Sequence, residues 1–582
     1  MNLQRILIQA ACAGLILLGM VFPAAAKEPE KRVSKHALEI IQSRGVGKVD
    51  LIVRYHKTPS AADVAVARGH GASVKRALML INGHSISVPA RAALKLLDNQ
   101  NVAAVSIDEK LTAAYYTVGS SSVGSSYTSV PTPVMHAYPG LASLAWDGTG
   151  VNVAVIDTGM RSHPDGKPVF KETFVQGLKA EDKYGHGNHV AGTIAGSGSH
   201  SEGPYRGMAP GAGIVALKAL DDTGAGQASD VIAALDWVLT NKEEFNIRVV
   251  NLSLGHPIFE SVETDPLVAA VEAVWDAGVV VVASAGNSGR DGYGTITSPG
   301  NAPSIITVGS VTHWGDSDPS NDIVSTYSSR GPTRGDLIMK PDLLAPGNRL
   351  ISITAKDSQL SKDYPQREIT APGKATAEYF QLSGTSMAAA VVSGAAALML
   401  DKDPNLNPAT VKARLMRSAD KTQFPDAFAV GAGVLNMEAA LADTGIVADA
   451  PSPRAVRKES AGMIGFQDTA ILWGGDEWAL GYLWANGYLW ANGYLWANSS
   501  EFTETQITAD GYLWANGYLW ANGYLWANGY LWADGYLWAN GYLWANEFVW
   551  SDSDLYADGY LWANGYLWAN GQPGADLDLV DD

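Results

Sequence analysis

Between residues 48 and 111 the spacing of apolar and polar positions switches repeatedly between two periods. KVDLIVRYH alternates like a half-buried strand, SAADVAVARGH has helical spacing, and ALMLINGHSISVP holds two strand-like runs; ARAALKLLDNQ is again helical and VAAVSIDEKL strand-like. The predicted order is β-α-β-β-α-β, a split ferredoxin-like arrangement. From residue 138 to 442 the pattern changes. VNVAVIDTG, GAGIVALKAL, IRVVNLSLG, VVVVASAGN and SIITVGSV are near-continuous apolar runs, and ASDVIAALDWVLTN and LVAAVEAVWDAG between them have helical spacing. Strands apolar on both faces and alternating with helices predict an α/β doubly wound parallel sheet. In such sheets chemistry gathers at the carboxyl ends of the strands.

The stretches between these patterns are linkers and repeats. TVGSSSVGSSYTSVPTP lies in a segment, 117–137, whose serine and proline content suits an exposed, cleavable connection. A second linker, 446–480, contains PSPR. Residues 481–571 then carry eleven copies of GYLWAN or GYLWAD, as three (481–498), six (511–546) and two (559–570), followed by an acidic tail at 572–582. Six is even, so in a strand Tyr and Trp share one face and Leu and Ala the other. The Asn-Gly junctions favour tight hairpins, and a parallel solenoid of hexapeptides meets the same pattern. Twenty-two aromatic rings at about 200 Å² each bring roughly 4,400 Å², far more than a soluble monomer leaves exposed. This β-type extension is therefore expected to stack on itself, on another copy, or on a surface or carbohydrate.

Composition adds compartment and charge. Of 582 residues, 47% are hydrophobic and 17% charged, which supports large buried cores and excludes a disordered chain. The first 26 residues have Arg5, an apolar run from Ile6 to Phe22, and small residues at Ala24 and Ala26. They read as a cleaved secretory signal and place the protein outside the cell. The single cysteine, Cys12, lies in that segment, so disulfides do not hold the remainder together. The net charge is −18, yet residues 27–116 carry 14 basic and 8 acidic side chains, which leaves about −25 beyond them. A basic leader should dock on an acidic body, and nucleic acid is excluded as a partner of the latter.

Candidate chemistry sits where the strands end. Asp157 closes VNVAVIDTG. His186 and His189 stand three apart in DKYGHGNHVAGT, a spacing that fits a metal clamp, a base beside a bystander, or two turn residues. Zinc would need further ligands that no spacing supplies. Ser386 in LSGTSMAAAVV opens a helix of small residues, where its hydroxyl is exposed and backbone N–H groups are free. Asn287 follows the strand VVVVASAGN and offers an amide to a developing oxyanion. Nucleophile, base and orienting acid are the three roles of a catalytic triad.

Asp157-Thr158-Gly159, the stretch from His186 to Thr193, and Gly384-Thr385-Ser386-Met387-Ala388 resemble the three signature motifs of subtilisin-like serine proteases, in that family's order. The resemblance implies the following expectations. Ser386 is the nucleophile, His189 the base, Asp157 its orienting acid and Asn287 the oxyanion donor, with His186 shaping the turn. Ser253, Leu254 and Gly255, together with Ala285 and Gly286 of the Ala283–Gly286 segment, line a cleft whose two strands pair with an extended peptide. Ser328-Ser329-Arg330-Gly331-Pro332 and KPDLLAPG (340–347) belong to the same set. Asn188 and Ala390 depart from the usual threonine and proline. Asp165 in SHPDG matches a carboxylate that binds structural calcium in relatives, although the following loop, GSGSHSEGPYRG, lacks the usual asparagines. The chemistry itself requires no cofactor.

Residues 27–116 resemble the family's inhibitor propeptide, which makes this unit an intramolecular partner of the body at 138–445. Its end, KLTAAYY, is expected to lie in the cleft, with the scissile bond somewhere between Leu111 and the serine-rich linker. The function expected is a secreted endopeptidase made as a zymogen and acting on polypeptides. The competing readings are an adhesion protein in which an inactive protease-like body presents the aromatic repeats, and a zinc hydrolase.

Overall fold

A computed structural model of the chain describes residues 32–115, 133–314, 321–420 and 427–458, and the backbone of a series of strands between 463 and 569. The expected signal segment, most of the first linker and the acidic tail lie outside the described residues.

The N-terminal unit follows the predicted order. Helix α1 (Lys35–Ser43) precedes β1 (Lys48–Tyr55); α2 (Ala61–Gly69), β2 (Ser73–Leu78), β3 (Gly83–Pro89), a helical turn at Ala90–Ala93 and β4 (Val102–Ile107) follow. Helix α2 starts on a reciprocal cap, in which Ser60 receives the Asp63 N–H and Asp63 receives that of Ser60. The strands form an antiparallel sheet in the order β2-β3-β1-β4, with Leu51, Ile52 and Val53 of β1 fully buried. The expected strand over 102–111 is in fact two. At its break Asp108 is buried and accepts hydrogen bonds from Ser85 Oγ, Ser229 N and Ser229 Oγ. Those bonds pin the chain to the second unit and send β5 (Lys110–Ala113) into it.

The body holds the predicted parallel sheet. In chain order its elements are β6 (Asn152–Asp157), β7 (Phe170–Thr173), α3 (His186–Ala195), β8 (Gly213–Lys218), β9 (Ala225–Gln227), α4 (Ala228–Asn241), β10 (Ile247–Leu252), β11 (Leu254–Pro257), α5 (Pro266–Asp276), β12 (Val280–Ser284), β13 (Thr297–Ser298), β14 (Ile306–Thr312), β15 (Ile323–Val324), β16 (Leu343–Pro346), β17 (Leu350–Ile353), β18 (Glu368–Thr370), β19 (Ala377–Leu382), α6 (Thr385–Lys402) and α7 (Pro408–Arg417). The main sheet runs β15-β14-β12-β10-β6-β8-β7, with β16 beside β14; every pairing in it is parallel except that of β15. Helix α6 is apolar or small all round, so it has no solvent face, and Thr385 through Leu400 are all buried. It packs on β10, β12 and β14. Asp157, Leu252 and Ser284 end neighbouring strands, and just past the last two Ser253 Oγ donates to the Ser386 carbonyl and the Gly286 N–H to Thr385 Oγ1 at the start of α6.

In the repeats the strands pair in parallel, not as hairpins. Tyr488–Ala497 lies residue for residue on Tyr512–Ala521. Beyond that the spacing settles at 18, as in Leu513 with Leu531, Leu525 with Leu543, and Val549 with Leu567. Eighteen residues are three hexapeptides, so copies three apart stack like on like, while Tyr488–Ala497 and Tyr512–Ala521 each run straight through one Asn-Gly junction. The parallel pairing is that of a solenoid. The segments between perfect copies keep this phase, because Gln506–Ala509, Val549–Ser551 and Leu555–Ala557 occupy the same ladders.

Candidate active site

Asp157 is buried at the carboxyl end of β6 and accepts the Thr158 N–H at 2.7 Å. His186 is the first residue of α3, and its Nδ1 lies 2.8 and 2.9 Å from the two Asp157 oxygens, which makes Nδ1 the protonated, donating nitrogen. Its Nε2 is buried without a hydrogen-bond partner. Asp182, unassigned from sequence, builds this corner. It accepts from Thr158 Oγ1 and from the backbone N–H groups of Tyr184, Gly185 and Asn188 at 2.7–3.0 Å. Burial pushes its carboxyl up to about 6, against the pull of those donors. Gly187 is required for the fit, since a Cβ there would collide with the Gly159 carbonyl oxygen.

The structure pairs Asp157 with His186, not with the expected base His189. His189 sits one turn deeper in α3, fully buried, with Nε2 at 3.1 and 3.0 Å from the carbonyl oxygens of Leu350 and Phe380. Burial, reinforced by the neighbouring His186, drives its imidazole down to about 3, so it is neutral and donates from Nε2 to both carbonyls. It fastens α3 to β17 and β19 and has no bond to Asp157. The two rings face different partners and do not converge on a metal site.

Ser386 is the second residue of α6. Its Oγ donates to the Ala114 carbonyl and lies 3.1 Å from that of Ser253. Asn287 is oriented by its own Oδ1, which accepts from Thr385 N at 2.9 Å and Thr385 Oγ1 at 3.1 Å; its Nδ2 is buried and unpartnered. A Cβ on Gly384 would stand 2.8 Å from the Ala114 oxygen and 3.4 Å from Asn287 Nδ2, so the carbonyl, the amide and the serine gather around a glycine. A free, fixed N–H₂ beside a nucleophile and a carbonyl is the layout of an oxyanion hole.

The cleft differs from expectation on one side. β5 pairs antiparallel with β11, Ala113 opposite Leu254 and Thr112 opposite Gly255, and the Ala114 N–H reaches the Ser253 carbonyl at 3.0 Å. On its other edge lies β9, with Leu111 opposite Gly226, rather than the Ala283–Gly286 segment. Ala285 and Gly286 spend their backbone groups on Val308, Thr297, Ser329 and Thr385 instead, and so shape the wall behind Asn287. A three-residue strand after a turn left little periodicity by which β9 could be found.

Asp165 does not fit calcium. One oxygen accepts from Ser197 Oγ, Ser199 Oγ and the His200 N–H at 2.6–3.2 Å, and the other from the Tyr379 hydroxyl. These donors fill the positions a cation would take. Among the described residues no cluster of three or more His, Cys, Asp or Glu side chains could hold a metal.

A sequence profile for the Subtilase family matches residues 148–433. The chain is 40% identical over 299 residues to "Serine protease AprX" of Bacillus subtilis (strain 168), an alignment covering 50% of this chain and 66% of that protein. It is 33% identical over 397 residues to "Subtilisin E" of the same strain, covering 67% of this chain and 89% of the relative. The crystal structure of fervidolysin from Fervidobacterium pennivorans, "a keratinolytic enzyme related to subtilisin", shares the fold with a TM-score of 0.53 at 22% identity, over 71% of this chain and 63% of that one.

Proposed function

Because this chain belongs to the subtilase family of serine endopeptidases, we propose that Ser386, His186 and Asp157 form the triad by which it hydrolyses peptide bonds, and that it is secreted as a zymogen inhibited by its own N-terminal unit. The observation that carries the reading is that the Asp157–His186 pair lies against Tyr115, while the carbonyl just before it, that of Ala114, takes the Ser386 hydroxyl beside Gly384, which the unpartnered Asn287 amide also approaches. In the reaction Ser386 Oγ gives its proton to His186 Nε2 and attacks the substrate carbonyl. Asp157 keeps the other ring nitrogen protonated and favours the imidazolium, while Asn287 Nδ2 and the Ser386 N–H receive the oxyanion. A fluorophosphonate probe should label the protein at Ser386, located by mass spectrometry, and the labelled protein should no longer digest casein. An unlabelled wild type that cleaves no peptide would favour the adhesion reading instead.

Inhibition is supported by how the N-terminal unit docks. It fills the cleft with β5 and supplies the N-terminal cap of α4, which has no side-chain cap of its own: the Glu109 carbonyl takes the Ala228 N–H, and Asp108 the Ser229 N–H. Arg54 donates to the carbonyls of Glu263 and Thr264, and Arg76 pairs with Asp230 at 3.2 Å. The 18-residue stacking of the extension supports a self-packed β appendage.

Docking should depend on pH. Burial raises Glu260, which faces Ser106, Arg54 and Asp265, to about 7, and Asp230, which faces Arg76, Lys75 and Asp108, to about 6. Both carboxyls are covered by the N-terminal unit and regain water when it leaves, so the complex holds protons that the separated parts release. Their contribution is complete below the ordinary carboxylate range and disappears as pH rises through 6 and 7. Gel filtration of the cleaved complex should show affinity at least about tenfold weaker at about pH 8 than at about pH 5. Equal or tighter binding at the higher pH would refute this.

A further inference from the structure

Resting on the triad reading above, we propose that the maturation bond is Ala114–Tyr115, and that Tyr184 makes the active site selective for an aromatic residue immediately after the bond it cleaves.

The first part follows from register. β5 is held on both edges as a substrate strand would be, from Lys110 opposite Gln227 to Ala113 opposite Leu254. Its last ladder bond is Ala114 N–H to the Ser253 carbonyl. The next carbonyl along, that of Ala114, is the one that receives the Ser386 hydroxyl and approaches Gly384, which Asn287 Nδ2 also nears. After it the chain folds away, with the Tyr115 N–H turned to the Ala113 carbonyl at 3.2 Å. Leu111 is fully buried, whereas Lys110 and Thr112 are exposed, so the strand is read at alternate positions as well as through its backbone.

The second part follows from the ring beyond the bond. Tyr115 meets Tyr184 edge to face at 6.0 Å between centroids, shares a hydrogen bond with its hydroxyl, and lies 5.9 Å from the His186 ring. Tyr184 is itself fixed. Its N–H is bound by Asp182, and its ring covers Gly224, where a Cβ would lie 2.5 Å from Cε1. A buried ring with a hydroxyl at its rim, two residues before the histidine, is a preformed seat for a phenol.

Cleavage balances with water as the sole co-reactant. The Ser386 oxygen bonds to the Ala114 carbonyl carbon and its proton passes to His186. The Ala114–Tyr115 C–N bond breaks, and that proton goes to the departing Tyr115 nitrogen. Water, deprotonated by His186, then releases the Ala114 carboxylate and restores Ser386.

The test uses the full chain. After maturation, N-terminal sequencing and intact mass should give a body beginning at Tyr115 and a fragment ending at Ala114. For peptides differing only in Tyr or Gly after the bond, the Tyr/Gly ratio of kcat/KM should fall about tenfold in Tyr184→Ala and by less in Tyr184→Phe, which keeps the ring. A new N-terminus elsewhere, with Ser386 still labelled by fluorophosphonate, overturns the bond assignment and leaves the protease reading intact. An unchanged ratio in both variants overturns the role of Tyr184. A chain neither labelled nor cut overturns the triad reading and this proposal together.

Discussion

Replacing His186 by alanine is expected to lower kcat about 10⁶-fold, the size of loss found when the base of such a triad is removed, whereas His189→Gln should stay within about tenfold of wild type and lose about 1–3 kcal/mol of stability. The contrast comes from one helical turn. His186 holds both Asp157 oxygens and has a buried, unpartnered Nε2; His189 spends its Nε2 on the carbonyls of Leu350 and Phe380. Removing His186 takes away the group proposed to accept the serine proton. Removing His189 leaves two buried carbonyls poorly satisfied and loosens α3 against β17 and β19. The variants should be processed in trans by wild type, so that loss of self-cleavage is not read as misfolding, and then assayed on casein and by thermal melting. Full loss of activity in His189→Gln with an unshifted melting temperature, beside an active His186→Ala, would return the base to position 189.

That reversal shows where sequence reasoning reached its limit. Residues three apart on a helix share a face, so H-x-x-H alone does not say which ring meets the acid. The small residues of HVAGTIAG pack closely, and that packing buries His189. The continuous apolar strands fixed the parallel sheet, and the ends of β6, β10 and β12 gave Asp157, the Ser253 wall and Asn287. What escaped were features made by tertiary contact: the Asp182 corner, the β9 edge, and the donors that surround Asp165 in place of a cation. In the extension, 499–510 and 547–558 look like interruptions by composition. Their length of two hexapeptides preserves the 18-residue phase, and a period count alone would have found it.

The KPDLLAPG segment gains a physical role, and with it the second large expected effect: Asp342→Ala should destabilise the body by about 3–5 kcal/mol. Asp342 is fully buried between two equally buried lysines, with Lys340 Nζ at 2.7 Å and Lys412 Nζ at 3.4 Å. Burial pushes the carboxyl up, but the two ammonium groups overrule it and hold it below its ordinary range; burial drives both lysines down, Lys412 to about 7. The remaining donors are spent on the carbonyls of Pro303, Ser304 and Ile305 and on Ser452, whose hydroxyl also binds Asp342. One carboxylate thus ties together β14, β16, α7 and the segment leading to the repeats. Deleting it leaves two cations without a counter-charge, which costs far more than the pair contributes over an apolar replacement. Chemical denaturation should therefore separate two variants: Asp342→Ala alone loses stability, while adding Lys340→Met and Lys412→Met to Asp342→Leu recovers most of it. If the single variant is as stable as wild type, the lysines are not charged in the folded body and the ionic account of this junction fails.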